Sequence, residues 1–238
     1  MWNFHDACLA IAVILGEVLF IYIVEIIRRK MNLPTSFTRR MIHFFAGDAV
    51  LLIPFFTYQI YPLIVLFLMA TLTTVGIMKK EGFFSTSMVE KGDVVLHAYG
   101  PVYYIISVLI MTALFWNELR YITMVATMVM AWGDGVASLI PKYLKKLHKY
   151  PWCDKSIEGS LSMLLFSLFG ALLALSIANS FNSTPKVFLP MEILMISLLA
   201  SIVGTVAEAI SMGAIRHFDN FSVPFSVALV LYLLEKFF

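Results

Sequence analysis

The chain has 238 residues, of which 61% are hydrophobic and 13% charged, with a mean hydropathy of +0.88 and a formal net charge of +2. A water-soluble domain of this size seldom exceeds half apolar residues, so the composition excludes an ordinary soluble fold and points to an integral membrane protein. No basic tail, arm or stripe suggests a nucleic-acid partner, and two cysteines, Cys8 and Cys153, cannot make a disulfide framework.

Apolar runs of about 17–24 residues predict eight transmembrane helices in one all-α domain covering residues 1–238. The first, Ala7–Ile27, has no basic segment before it and ends in Arg28-Arg29-Lys30, so it is expected to stay as a span and not be cleaved as a signal. The second, Arg40–Thr57, carries His43 one turn in. The third is Tyr61–Met78. The fourth, Val94–Phe115, carries His97, read as structural. The fifth, Tyr121–Pro141, holds Asp134 about two turns from its end, and a lysine-rich connection follows. The sixth is Gly159–Ala178. The seventh, Met191–Ile215, holds Glu208 about two turns inside its end. Asp219 and Asn220 sit in the last connection, before Phe221–Phe237. No internal repeat or linker divides the chain.

Fourteen of the 17 Lys and Arg fall in the first, third, fifth and seventh connections; Arg120, Lys186 and Lys236 fall on the other side. The positive-inside rule then places both termini on the non-cytoplasmic side and these four connections in the cytoplasm. Cys8 and Cys153 are expected toward opposite faces. With this topology Asp134, Glu208, His43, Asp219, Asn220 and the segment Lys155–Ser160 all gather at the cytoplasmic interface.

An acid at the centre of a membrane helix costs about 2.5–3.5 kcal/mol on insertion scales, less near the interface. Asp134 therefore calls for a cation, a metal or a wet cavity, although a snorkelling or interhelical hydrogen-bonding acid is the plainer alternative. Gly133 and Gly135 beside it allow close approach by a ligand or by another helix. Lys155-Ser-Ile-Glu-Gly-Ser160 reads as a helix start, with Ser156 as N-cap and Glu158 in the first turn. Such a helix entrance suits phosphate, and it equally suits an ordinary capped span. Asp219-Asn220 followed by Pro224 also fits a simple turn. His43 equally fits an interfacial histidine bonded to a carbonyl, and Arg39 and Arg40 fit topology anchors. Together, carboxylates and lysines at one face suggest a magnesium–nucleotide complex. There is no Walker A loop, no protein-kinase motif and no zinc-ligand set.

Three blocks carry a resemblance: Arg39-Arg40-Met-Ile-His43; Gly133-Asp134-Gly-Val-Ala137 with Lys155-Ser156-Ile-Glu158-Gly159-Ser160; and Glu208 with Asp219-Asn220 and Pro224. In their order and spacing, over residues 39 to 225, the chain resembles the polyprenol kinase family of phytol, farnesol and dolichol kinases, with a more distant likeness to CDP-diacylglycerol synthases. The family tends to place glycines between its Gly-Asp and Lys-Ser elements; here that stretch reads Ile140-Pro141-Lys-Tyr-Leu-Lys-Lys146.

The resemblance implies Mg²⁺-dependent transfer of the terminal phosphate of CTP, or another nucleoside triphosphate, to an isoprenoid alcohol held in the bilayer. Asp134 and Asp219 are then the expected Mg²⁺ contacts, with Glu208 as a further ligand or a partner behind them. Lys155, Ser156, Gly159 and Asn220 are expected at the nucleotide. Glu158, also placed on that side, is expected to order the loop, through a lysine. Asp134 or His43 is the candidate base. Two rival readings stay open: a CTP-dependent cytidylyltransferase making a CDP-lipid, and an ion- or proton-coupled transporter using Asp134 and Glu208 as relays.

Overall fold

The computed structural model describes residues 3–79, 83–88, 98–137, 139–144, 146–151, 155–211 and 219–237. Cys153, His97, Lys80, Lys91, Lys145 and Arg216 lie outside the described residues. Those that are described form the helices α1 (Phe4–Met31), α2 (Thr35–Ala46), α3 (Ile60–Lys79), α4 (Phe83–Met88), α5 (Gly100–Leu114), α6 (Arg120–Ala137), α7 (Ile157–Ser180), α8 (Pro190–Ile210) and α9 (Asp219–Phe237). Among them the one sheet-like pairing is an antiparallel bridge between Lys149 and Ser156. The protein is an all-α integral membrane protein.

Local chemistry accounts for the helix ends. Asn3 caps α1 by accepting from the amides of His5 and Asp6, and Arg28, Arg29 and Lys30 lie in its last turn, where the helix dipole favours positive charge. Asn32 closes α1 in the left-handed conformation at φ 51°. Ser156 caps α7 through Gly159 N–H, as its position in the sequence predicts. Five segments are long and apolar enough to cross a membrane: Phe4–Met31, Ile60–Lys79, Asn117–Tyr143, Ile157–Ser180 and Pro190–Ile210. Gly100–Leu114, on the fourth predicted span, is shorter.

The second predicted span, Arg40–Thr57, is not one α-helix. It leaves α2 at Ala46 and runs on as a 3₁₀ helix, Gly47–Phe55. Two features drive the change. A Cβ on Gly47 would lie 2.2 Å from the Ala131 Cβ, so the chain touches α6 there. Pro54 also removes a backbone donor. The tighter helix rises about 2.0 Å per residue, which lengthens the reach of a run that is short for a membrane.

Helix α6 is the central post. It packs against α2, α7, α8, α9 and the 3₁₀ segment, and Met124, Val125, Met128 and Val129 are fully buried. Its contact with α7 is unusually close. A Cβ on Gly133 would stand 2.1 Å from Ser167 Oγ, and one on Gly170 would stand 2.9 Å from the Met128 carbonyl oxygen. Ser167 Oγ also donates to the Val129 carbonyl at 3.0 Å. Lipid provides no hydrophobic drive between helices, so small residues that let backbones approach take its place. The outer helices instead expose large apolar side chains such as Leu15, Phe67, Leu161 and Met195, as lipid contact requires.

Two further acids in the first helix have structural partners. Buried Asp6 accepts from the amides of Thr57 (3.0 Å) and Tyr58 (2.8 Å), tying α1 to the link before α3. Glu25 accepts from Arg28 and Arg29, each at 2.7 Å, and from Thr86 at 2.9 Å, which clips α4 to α1.

Candidate active site

The ends of α2, α6 and α8 meet the entrances of α5, α7 and α9. Gly133 and Gly135 both face helices, Gly133 against Ser167 of α7 and Gly135 against Phe44 of α2. The close approach they permit is therefore helix to helix. It seats Asp134 on the cleft wall with its Oδ2 3.8 Å from His43 Nε2. That nitrogen has no hydrogen-bond partner, and the ring also lies against the Met130 backbone. The imidazole rests on Tyr104, ring centroids 4.5 Å apart.

The lysine-rich connection divides by direction. Lys142, Lys146 and Lys149 are exposed. Lys155 points inward because residues 155–157 pair with residues 148–150: Tyr150 N–H donates to the Lys155 carbonyl (3.0 Å) and Ile157 N–H to the His148 carbonyl (2.9 Å). Glu158 holds this turn, accepting from His148 N–H at 3.1 Å and meeting its Nδ1 at 2.6 Å. Glu158 thus orders the loop through a histidine where sequence reasoning expected a lysine, and it does not line the cleft.

Inside, Lys155 Nζ lies 2.7 Å from Glu208 Oε1 and 3.6 Å from Asp219 Oδ2, and it also donates to the Glu208 carbonyl. Asn220 donates to the Gly100 carbonyl at 2.7 Å. A Cβ on Gly100 would meet the Arg39 guanidinium at 2.5 Å, so this glycine makes room for Arg39 on the cleft wall. Ser156, Gly159 and Ser160 line the same wall, but the Gly159 N–H is already taken by Ser156 Oγ.

Among the described residues, no three His, Cys, Asp or Glu converge as a ready cage for a metal. The arrangement does fit Mg²⁺, which binds through one or two carboxylates and keeps oxygens from water and phosphate. Asp219 Oδ1 is buried without a hydrogen-bond partner. Asp219 stands before the last apolar run, and burial pushes its carboxyl up to about 7; Lys155 opposes the rise, while Asp134 and Glu208 add to it. Glu208, by contrast, is committed to Lys155.

These groups form one end of a cavity of about 850 Å³. Its other end is apolar, walled by Ile21, Ile53, Val65, Met69 and Val108 from α1, the 3₁₀ segment, α3 and α5. On α3 the wall runs from Thr73 to Pro62, about 16 Å at 1.5 Å per residue. Sequence reasoning missed this chamber, because its walls are the same residue types as the lipid-facing surface. It also missed Tyr104 and Glu17, which line the cavity, and Asp48 near them, which accepts from Trp132 Nε1 at 2.8 Å. An acid within each apolar run was the available signal for Glu17 and Asp48.

The chain is similar to phytol kinase 1 of Arabidopsis thaliana, chloroplastic, at 24% identity over 96% of this chain and 76% of the relative. It is 26% identical to phytol kinase of Synechocystis over 87% of this chain and 82% of the relative. A probable phytol kinase of Triticum aestivum, chloroplastic, is 31% identical over 57% of this chain and 44% of the relative. No family model and no solved structure matches the chain. In sequence, the chain is similar to proteins named phytol kinase over most of its length.

Proposed function

We propose that the protein is a membrane-embedded kinase that transfers the terminal phosphate of CTP, or another nucleoside triphosphate, to the hydroxyl of an isoprenoid alcohol. One observation carries this reading: a single cavity joins a cluster of acids and Lys155 to an apolar chamber. A prenol is apolar except at its hydroxyl and divides in the same way. The sequence likeness to proteins named phytol kinase supports the same substrate class.

Phosphoryl transfer rests mainly on positioning and charge neutralisation. The apolar chamber takes the isoprenoid tail and directs its hydroxyl toward His43 and Asp134. His43 Nε2, unpartnered and backed by Asp134, accepts the hydroxyl proton. The alcohol oxygen bonds to the terminal phosphorus as the bond to the leaving nucleoside diphosphate oxygen breaks. Lys155, fixed by Glu208, places positive charge beside the phosphates, and Arg39, which lines the same cleft, adds more. Asp134 and Asp219 are the residues that would hold Mg²⁺, which would neutralise charge on the transferring group. The charge bias of the connections supports a cytoplasmic mouth for the site.

The test is purified protein with Mg²⁺, labelled CTP or ATP, and a panel of prenols. A labelled lipid monophosphate with release of nucleoside diphosphate supports the kinase. A nucleotide–lipid adduct with release of pyrophosphate would replace it with a cytidylyltransferase.

A further inference from the structure

A second cavity, of about 470 Å³, lies between α1 and the 3₁₀ segment. It shares Val13, Glu17 and Ala49 with the large cavity, so the two adjoin at these three residues. Its outer wall includes Leu9, Ala12 and Gly16 on α1, and Leu51 and Leu52 opposite. Gly16 and Ala12 are exposed, and a Cβ on Gly16 would meet nothing within 4 Å. On the same helix Ile11, Leu15 and Leu19 are large and exposed, which identifies this side as the lipid side. Small residues at positions 12 and 16, one helical turn apart, therefore leave a gap in the wall where neighbouring positions carry bulk.

We propose that this gap is a lateral portal, through which the isoprenoid alcohol passes from the bilayer into the apolar chamber. The inference rests on the kinase reading above. A long prenol does not leave lipid for water, so a route within the membrane spares it the cost of exposing its methylenes. The portal also carries a group that a simple lipid cleft does not need. Glu17, at the junction of the two cavities, offers a hydrogen-bond acceptor for the hydroxyl on its way in. Asp48 lies beside it on the outer cavity.

The experiment compares two alcohols in proteoliposomes: a twenty-carbon prenol supplied in the bilayer and a five-carbon prenol supplied in the buffer. Gly16→Trp fills the gap on a position with free space. The expected result is a rise of about tenfold in KM for the long alcohol with kcat kept, and no change for the short one, which reaches the site through its aqueous mouth. Ala12→Phe, one turn away, gives the same reading should Gly16→Trp fail to assemble. Unchanged kinetics for the long alcohol, or an equal loss for both, overturns the portal. A wild-type protein that phosphorylates neither alcohol removes the kinase reading, and the portal with it.

Discussion

Lys155 and Glu208 meet at 2.7 Å although 53 positions separate them in the chain. Their pairing fastens the entrance of α7 to the end of α8 and fixes the one lysine, among the described residues of its loop, that turns into the cleft. Glu208→Gln keeps the shape and removes the charge. It should lower stability by about 2 kcal/mol, since a charged partner is left with weaker compensation, and weaken nucleotide binding about tenfold. Thermal unfolding in detergent and nucleotide titration measure the two effects. Unaltered nucleotide affinity would mean that Lys155 needs no such anchor.

Asp134→Asn is nearly isosteric and leaves the glycine contacts of α6 untouched. It should insert and fold normally while losing roughly a hundredfold or more of prenol phosphorylation. Normal turnover in this variant would remove Asp134 from the chemistry.

Asp219 supplies a pH dependence. Its ordinary value is 3.8, and burial raises it to about 7. Between these values the folded protein keeps a proton that the unfolded chain has released, so this residue costs stability as pH rises through that window. Below 3.8 the effect vanishes; above about 7 it is complete. In the absence of Mg²⁺ and nucleotide, the melting temperature of Asp219→Asn should therefore gain on wild type from pH 5 to pH 8. A constant difference would show that the carboxyl titrates normally.

The glycines beside Asp134 separate by the space around them. Gly133→Ala drives a Cβ to 2.1 Å from Ser167 Oγ, whereas Gly135→Ala meets Phe44 at 3.3 Å. The first should cost about 1–3 kcal/mol and the second less. Adding Ser167→Ala to Gly133→Ala should restore most of the loss. Equal effects at the two glycines, read by thermal unfolding, would contradict this packing.

Much of the site was legible because its signals are local. Asp134 stands out as an acid in an apolar run, and Ser156 as a cap three residues before Gly159. The role of Glu158 was legible as loop ordering but its partner was not, because His148 reaches it only when the lysine-rich turn folds back. Lys155 stood out by its place in the Lys-Ser element, but the outward direction of Lys142, Lys146 and Lys149 could not be read locally for the same reason. The break of the second span into a 3₁₀ helix depends on contact with Ala131, a residue far along the chain.

By itself, the sequence determined an all-α membrane protein, its main helix starts, and a group of polar residues that line one cleft. These follow from hydropathy, capping and charge, which act over one or two turns. The tertiary structure alone decided which acid holds Lys155, which glycine serves packing, and which apolar residues line a chamber instead of facing lipid. Ile53 and Leu15 are alike to any local rule, and only the way the helices pack gives one a cavity and the other the bilayer.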